Sequence, residues 1–370
     1  MVVQTVFGGI KMFKNKKSMI VSSVMISSLL LSGCGLLDFE WKQKIDPPKE
    51  ESLTDNTSKI STEEGTAEKE NKDQNVAAEN TLKTELYLVD KNGYVVPQTL
   101  DLPKTNSVAK QALEYLVQGG PVTDMLPNGF KAVIPAETNV SVDIDKKDKV
   151  ATVNLSKEFK NYKKEDELKI LQSITWTLTQ FDSVDKVKLQ LNGYALKEMP
   201  VNKTPIKDGL TRANGINIDT TDVLDITNTR AVTVYYLGEE DDSYYYVPVT
   251  RRVSNKVDNN IQAAVDELIK GPSYTSKLVS DFSEEARLLD EPKVENGKVT
   301  LNFNESIVNS LDKKKVSQHL LESLVLSLTE QKGIESVALT VNGKTDLLNE
   351  KGEKLTKPVT RPENVNTGSF

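Results

Sequence analysis

The chain is written twice. The stretch KVATVNLSKEF, starting at Lys149, is answered by KVTLNFNESI, starting at Lys298, and other matches recur at spacings of 148–151 residues. Any fold that serves one copy must therefore serve the other. Ala151, Val153 and Leu155 fall on Val299, Leu301 and Phe303. Both sets alternate with period two, the pattern of a half-buried strand. Val184, Val187, Leu189 and Leu191 align with Ile334, Val337, Leu339 and Val341, and each run ends in Asn-Gly, at 192–193 and 342–343. Asn-Gly suits a type I′ turn, whose two central residues need positive φ, so each strand is expected to turn back into another.

Helices repeat as well. Val108, Ala112, Leu116 and Val117 share one helical face, as do Ile261, Ala264, Val265, Leu268 and Ile269. Both helices are expected to stop at Gly-Pro, at Gly119-Gly120-Pro121 and Gly271-Pro272, where glycine caps and proline cannot continue. A second helix carries Leu171, Ile174 and Leu178, matched by Leu321, Leu324 and Leu328. A strand is expected before the first helix, over Thr84–Val89 and over Val232–Leu237. Each copy closes with Thr-Arg, from Thr211-Arg212 through Ile216-Asn217 and from Thr360-Arg361 through Val365-Asn366. The predicted order is strand, strand, helix, strand, strand, helix, strand, tail. That is an α+β fold: two tandem small domains, 84–217 and 231–366, each with amphipathic helices on one face of a small antiparallel or mixed sheet. Residues 218–230, with Asp219, Asp222 and Asp225, read as a linker between two independent units.

The amino terminus reads as an address. Lys11, Lys14, Lys16 and Lys17 precede a short apolar run, Met19–Leu31, and then Leu31-Ser32-Gly33-Cys34. A basic start, an apolar middle and small residues at the end describe a signal peptide over 1–33, with Met12 an alternative start to Met1. The run is short for a retained spanning helix, which needs about 20 apolar residues. Leu-Ser-Gly-Cys resembles the lipobox of bacterial lipoproteins, which implies cleavage before Cys34 and acylation of its thiol, including palmitate. Two acyl chains on one residue anchor stably. The expected location is the cell membrane, lipid-anchored through Cys34 and facing the extracytoplasmic, intermembrane space. Cleavage would remove four lysines and no acid, leaving a chain more acidic than its formal −7. Residues 34–83 are rich in Ser, Thr, Asn, Glu and Lys and have no aromatic residue after Trp41 until Tyr87 lies beyond them. Such a segment buries too little apolar surface to order itself and reads as a tether, reaching roughly 35–40 Å as a relaxed coil.

Composition narrows the chemistry. Forty-seven basic residues against 54 acidic ones give no basic excess for nucleic acid. A single cysteine cannot form an internal disulfide, and a single histidine rules out a His-cluster zinc site. His319 aligns with Lys169 of the other copy and reads as a helix-flank residue; Trp176 aligns with Leu326 and reads as core. The run Glu239-Glu240-Asp241-Asp242, set between tyrosines, reads as a solvated hairpin tip. No catalytic, cofactor-binding or metal-ligating residue is expected. Arg212 and Arg361 recur at the same place in both copies. They read first as structural clamps onto carbonyls or a carboxylate of their own domain, and second as anchors of an interface.

The Gly-Pro after the first helix, Ile134-Pro135-Ala136-Glu137-Thr138, the KVATVNLSKEF stretch and the closing Thr-Arg to Ile-Asn resemble the GerMN domain. The second copy departs from that pattern between 277 and 295. The resemblance implies a non-enzymatic role in sporulation and germination. It also implies similarity to ring-building modules of the apparatus joining mother cell and forespore, with helices on a three-stranded sheet. The expected function is a lipid-anchored assembly module of such an envelope complex, with proteins of that channel complex as partners. The alternative is a lipoprotein that binds peptidoglycan or accompanies a peptidoglycan hydrolase.

Overall fold

The structure is a computed structural model. It describes residues 80–126, 128–221, 223, 227–240, 243–256, 259–308 and 314–367. The expected signal peptide, Cys34 and the expected tether up to residue 79 lie outside the described residues, as do Asp222, Asp225, Asp241 and Asp242. Among the described residues no helix is long and apolar enough to cross a membrane.

The first half opens with an antiparallel hairpin of β1 (Thr81–Val89) and β2 (Val95–Pro103). Helix α1 (Val108–Glu114) leads to β3 (Val140–Asp145) and β4 (Val150–Leu155). Helix α2 (Glu167–Leu178) then crosses over to β5 (Lys186–Leu191), parallel to β4, and β6 (Tyr194–Ala195) closes the sheet. The second half repeats this as β7 (Thr229–Glu240), β8 (Ser243–Ser254), α3 (Asn260–Lys270), β9 (Lys293–Glu295), β10 (Lys298–Phe303), α4 (Gln318–Thr329), β11 (Ser336–Val341) and β12 (Val359–Thr360). The sheets run β3-β4-β5-β6 and β12-β11-β10-β9, mixed and four-stranded, and each hairpin forms a sheet of its own. The three-stranded sheet implied by the family resemblance is thus enlarged on one side and supplemented by the hairpin. The leading strands begin three residues earlier than predicted in each half, so residues 81–83, assigned to the tether, belong to β1.

The period-two residues do what their alternation requires. Ala151, Val153 and Leu155 are buried, as are Val299, Leu301 and Phe303; helix α2 packs on the neighbouring β5, α1 on β3, and α4 on β11. The Asn-Gly pairs take positive φ at both residues, 50° and 83° at Asn192-Gly193 and 49° and 74° at Asn342-Gly343. The first turns β5 into β6; the second is followed by a single bridge, Val341 to Lys344.

The first helices end differently. Helix α3 stops on Gly271 at φ 77°, as predicted. Helix α1 stops at Glu114, short of Gly119. The cause is competition for the backbone. The Leu116 carbonyl accepts from the N–H groups of Val133 and Ile134, and Gln118 donates to the Ile134 carbonyl, so the segment pairs sideways instead of continuing the helix.

The two halves are not separate bodies. Leu86, Tyr87, Leu88 and Val89 are consecutive and all buried, which requires both faces of β1 to be covered. Helix α2 covers one face, packing Trp176 on Tyr87 at 5.6 Å between ring centroids. One apolar cluster then continues through both hairpins into the second half.

Candidate functional site

The tails that close each copy are exchanged. Ile216, ending the first half, donates its N–H to Thr250 Oγ1 of β8 at 2.9 Å and accepts from the Thr250 N–H at 2.8 Å. Val365, ending the second half, makes the reciprocal pair with Thr99 of β2, N–H to Oγ1 at 2.9 Å and Thr99 N–H to its carbonyl at 3.0 Å. The asparagines that follow span both hairpins. Asn217 accepts from the Val95 N–H at 2.8 Å and donates to the carbonyls of Val95 and Pro248, both at 2.7 Å. Asn366 accepts from the Tyr246 N–H at 2.7 Å and donates to the carbonyls of Pro97 at 2.8 Å and Tyr246 at 2.9 Å. Both asparagines sit in the left-handed region, at φ 45° and 54°, which asparagine tolerates better than most residues. Pro97 and Pro248 fit here because a proline inside a strand must face an edge that asks for no N–H. The result is a two-fold arrangement inside one chain.

Arg212 and Arg361 meet at the centre of this seam on one carboxylate, Glu330, just past the end of α4. Arg212 Nη1 lies 2.7 and 2.9 Å from its two oxygens, and Arg361 Nη1 lies 3.3 Å from Oε1. Tyr235 donates its hydroxyl to the same oxygen at 2.8 Å. Arg212 stacks over Trp176 at 4.4 Å and bonds Thr179; Arg361 lies over Tyr235 at 5.6 Å and approaches Glu85 at 3.8 Å. The Glu330 side chain is only 7% exposed. Burial alone would raise its pKa, but the two guanidinium groups outweigh burial and hold the carboxyl below the usual carboxylate range. Burial likewise pushes the Tyr87 and Tyr235 hydroxyls up, so both stay protonated donors.

Arg361 therefore clamps a carboxylate of its own half and reaches across to Glu85, while the carboxylate held by Arg212 belongs to the other half. Both arginines serve an interface, but one internal to the chain. Sequence comparison of the copies passes over Glu330 because its counterpart is Gln180, which bonds the Glu85 backbone N–H at 2.9 Å and carbonyl at 2.7 Å instead. The detectable signal was that mismatch: a neutral amide in one copy and an acid in the other, at a helix end where a negative charge is disfavoured.

Other singled-out residues are placed more simply. Trp176 is core. His319 lies edge-on to Tyr244 at 5.1 Å and near Tyr246 at 6.5 Å. The acidic run is not wholly a solvated tip: Glu239 and Glu240 extend β7, and Glu240 is buried against Lys91 of the first half at 2.9 Å. Asp219 in the expected linker is an ion-pair partner of buried Arg251, which also binds Glu267 at 2.9 Å. A groove of about 480 Å³ opens beside the seam, between Tyr94, Gln172, Ile218, Tyr236 and Pro272. Among the described residues no group of His, Cys, Asp and Glu is arranged to hold a metal ion.

Comparison with known proteins places this architecture. Over 367 residues the chain is 54% identical to the spore germination protein GerM of Bacillus subtilis (strain 168), covering 97% of this chain and 100% of that protein. The solved structure of the tandem GerMN domains of the sporulation protein GerM from Bacillus subtilis matches with a TM-score of 0.74 at 60% identity, over 78% of this chain and 100% of that one. A family described as sporulation and spore germination matches twice, at residues 85–197 and 233–347, so both exchanged tails lie outside the matched spans. By these matches, which take in more than half of its residues, the chain belongs to the Germane family of sporulation and spore germination proteins.

Proposed function

We propose that the protein is a non-enzymatic assembly module, tethered by an acylated Cys34 to the outer face of a membrane and working in an envelope complex between mother cell and forespore. The observation that carries this reading is the exchanged seam. It fixes two homologous helix-on-sheet modules at one separation and orientation, so the molecule offers paired surfaces in constant register. Rigid pairing suits a scaffold, because the second contact with a neighbour is then made at high effective concentration. The strongest charged constellation is spent on that rigidity: Glu330 is held by both arginines and by Tyr235. The likeness to a protein named for spore germination supports the same reading.

Photo-crosslinkers placed at the exposed residues Tyr194 and Tyr274 in sporulating cells test the role. Envelope proteins captured reproducibly at defined positions are expected. Capture of peptidoglycan alone, or release of muropeptides by the purified protein, overturns the reading in favour of a wall-directed one. Metabolic labelling with palmitate tests the anchor: label is expected on the wild-type protein and absent from Cys34→Ala.

A further inference from the structure

The two halves differ at one edge of their sheets. In the second half, the outer side of β10 is covered in two pieces. Leu288 bridges Phe303, β9 pairs with residues 298–300, and Asp290-Glu291-Pro292 interrupts between them. A break with charge and proline is the usual way to blunt a strand edge. In the first half the corresponding edge is β3, six residues long, paired with β4 at every position and free of proline. Sheet order leaves its far side without a strand.

The direction of its backbone groups follows from one bond. The Ser156 N–H donates to the Asn139 carbonyl at 3.0 Å, which makes 139 and 156 a hydrogen-bonded pair. Alternation in an antiparallel ladder then assigns Ser141, Asp143 and Asp145 to bonds with β4. The N–H and carbonyl groups of Val140, Val142 and Ile144 point away from β4; Val140 is buried where helix α1 packs on β3, and Val142 and Ile144 form the open part of the edge. No backbone bond meets them there among the described residues.

Side chains state what could pair. Val142 and Ile144 are half-buried on the inner face, and an added strand would complete their cover. Ser141, Asp143 and Asp145 are exposed on the outer face, and neither acid has an ion-pair partner among the described residues. A second copy of this edge is disfavoured, since antiparallel self-pairing sets acids against acids. Building on the assembly role proposed above, we infer that β3 is a docking edge for an extended segment of a partner protein, one that alternates apolar and basic residues. Such a segment adds a fifth strand antiparallel to β3. Its apolar residues extend the Val142–Ile144 row and its lysines or arginines face Asp143 and Asp145.

The test adds an acetylated eight-residue peptide alternating Lys and Val to the full chain in detergent and follows amide hydrogen exchange. Exchange at Val142 and Ile144 is expected to slow at least tenfold, and the matching Glu-Val peptide is expected to have no effect. Val142→Pro removes an outward N–H without touching the β4 ladder and should abolish protection. Asp143→Lys/Asp145→Lys changes exposed side chains and removes the two turn bonds that Asp145 accepts from the Lys147 and Asp148 N–H groups; with its far-ultraviolet spectrum and unprotected exchange rates matched to wild type, it should reverse the peptide preference. Equal protection by both peptides, protection elsewhere, or no protection overturns the inference. The readouts also separate the two proposals. Envelope partners still captured from cells carrying Asp143→Lys/Asp145→Lys sink the docking edge and leave the assembly role; no captured partner for the wild-type protein sinks the assembly role whatever the peptides do.

Discussion

Both seam arginines rest on the Glu330 carboxylate. Glu330→Gln keeps the shape but leaves Arg212 without its carboxylate and Arg361 with only Glu85, 3.8 Å away. Breaking a buried pair by removing one partner costs about 3–5 kcal/mol, and the partial exposure of both arginines argues for the lower end. Urea unfolding monitored by circular dichroism is expected to show a loss of about 3 kcal/mol. Replacing all three with apolar residues of similar size should cost less than the single change, because no arginine is then left buried without its carboxylate. The same carboxyl sets a pH response. Its folded pKa lies below the unfolded value, so its contribution is complete above the ordinary carboxylate range and is lost as pH falls through the folded value. Wild-type stability should drop as pH falls below the ordinary carboxylate range, and Glu330→Gln should flatten that part of the profile. The asparagines are the second pressure point. Asn217→Ala and Asn366→Ala each lose three hydrogen bonds and place a Cβ residue without a side-chain bond at positive φ. Each is expected to cost about 2–4 kcal/mol in the same assay. The tail motif was visible in the sequence as a repeated Ile-Asn and Val-Asn. Its purpose was not, because nothing local says that an asparagine bridges two strands from different halves.

At the scale of elements, periodicity carried most of the fold. Alternation located β4, β5, β10 and β11, and Asn-Gly located the turns after β5 and β11. Where one backbone segment had two possible partners, local pattern gave the wrong end, as at α1, whose last turn is diverted by pairing with Ile134. The unbroken apolar run Leu86–Val89 hinted at cover on both faces, but the sequence could not say that the second cover comes from the other half. Packing between hairpins also explains Gly238. A Cβ there would lie 2.5 Å from the Tyr245 ring, and that ring is held by a 2.7 Å bond to Asp90 and by contact with Phe130 at 5.4 Å. Gly238→Ala is expected to cost about 1–3 kcal/mol, since the ring has nowhere to retreat, and differential scanning calorimetry should show a lowered Tm.

For the whole molecule, the reading as two independent units gives way to one cooperative body. A single unfolding transition is expected, coincident by Trp176 fluorescence in a Trp41→Phe background and by far-ultraviolet circular dichroism; two separated transitions would contradict the shared core. A protease site inserted between residues 222 and 228 should allow cleavage without separation, so that the nicked halves elute together until denaturant is added.

The order of synthesis adds a last consequence. Thr99 and Pro97 wait for Val365 and Asn366, bonds that span 266 and 269 residues of sequence. The amino-terminal hairpin therefore cannot reach its finished state until residues 365 and 366 have been made, more than 260 residues after its own strands. A stop codon placed before Val365 would damage the part of the chain that was made first.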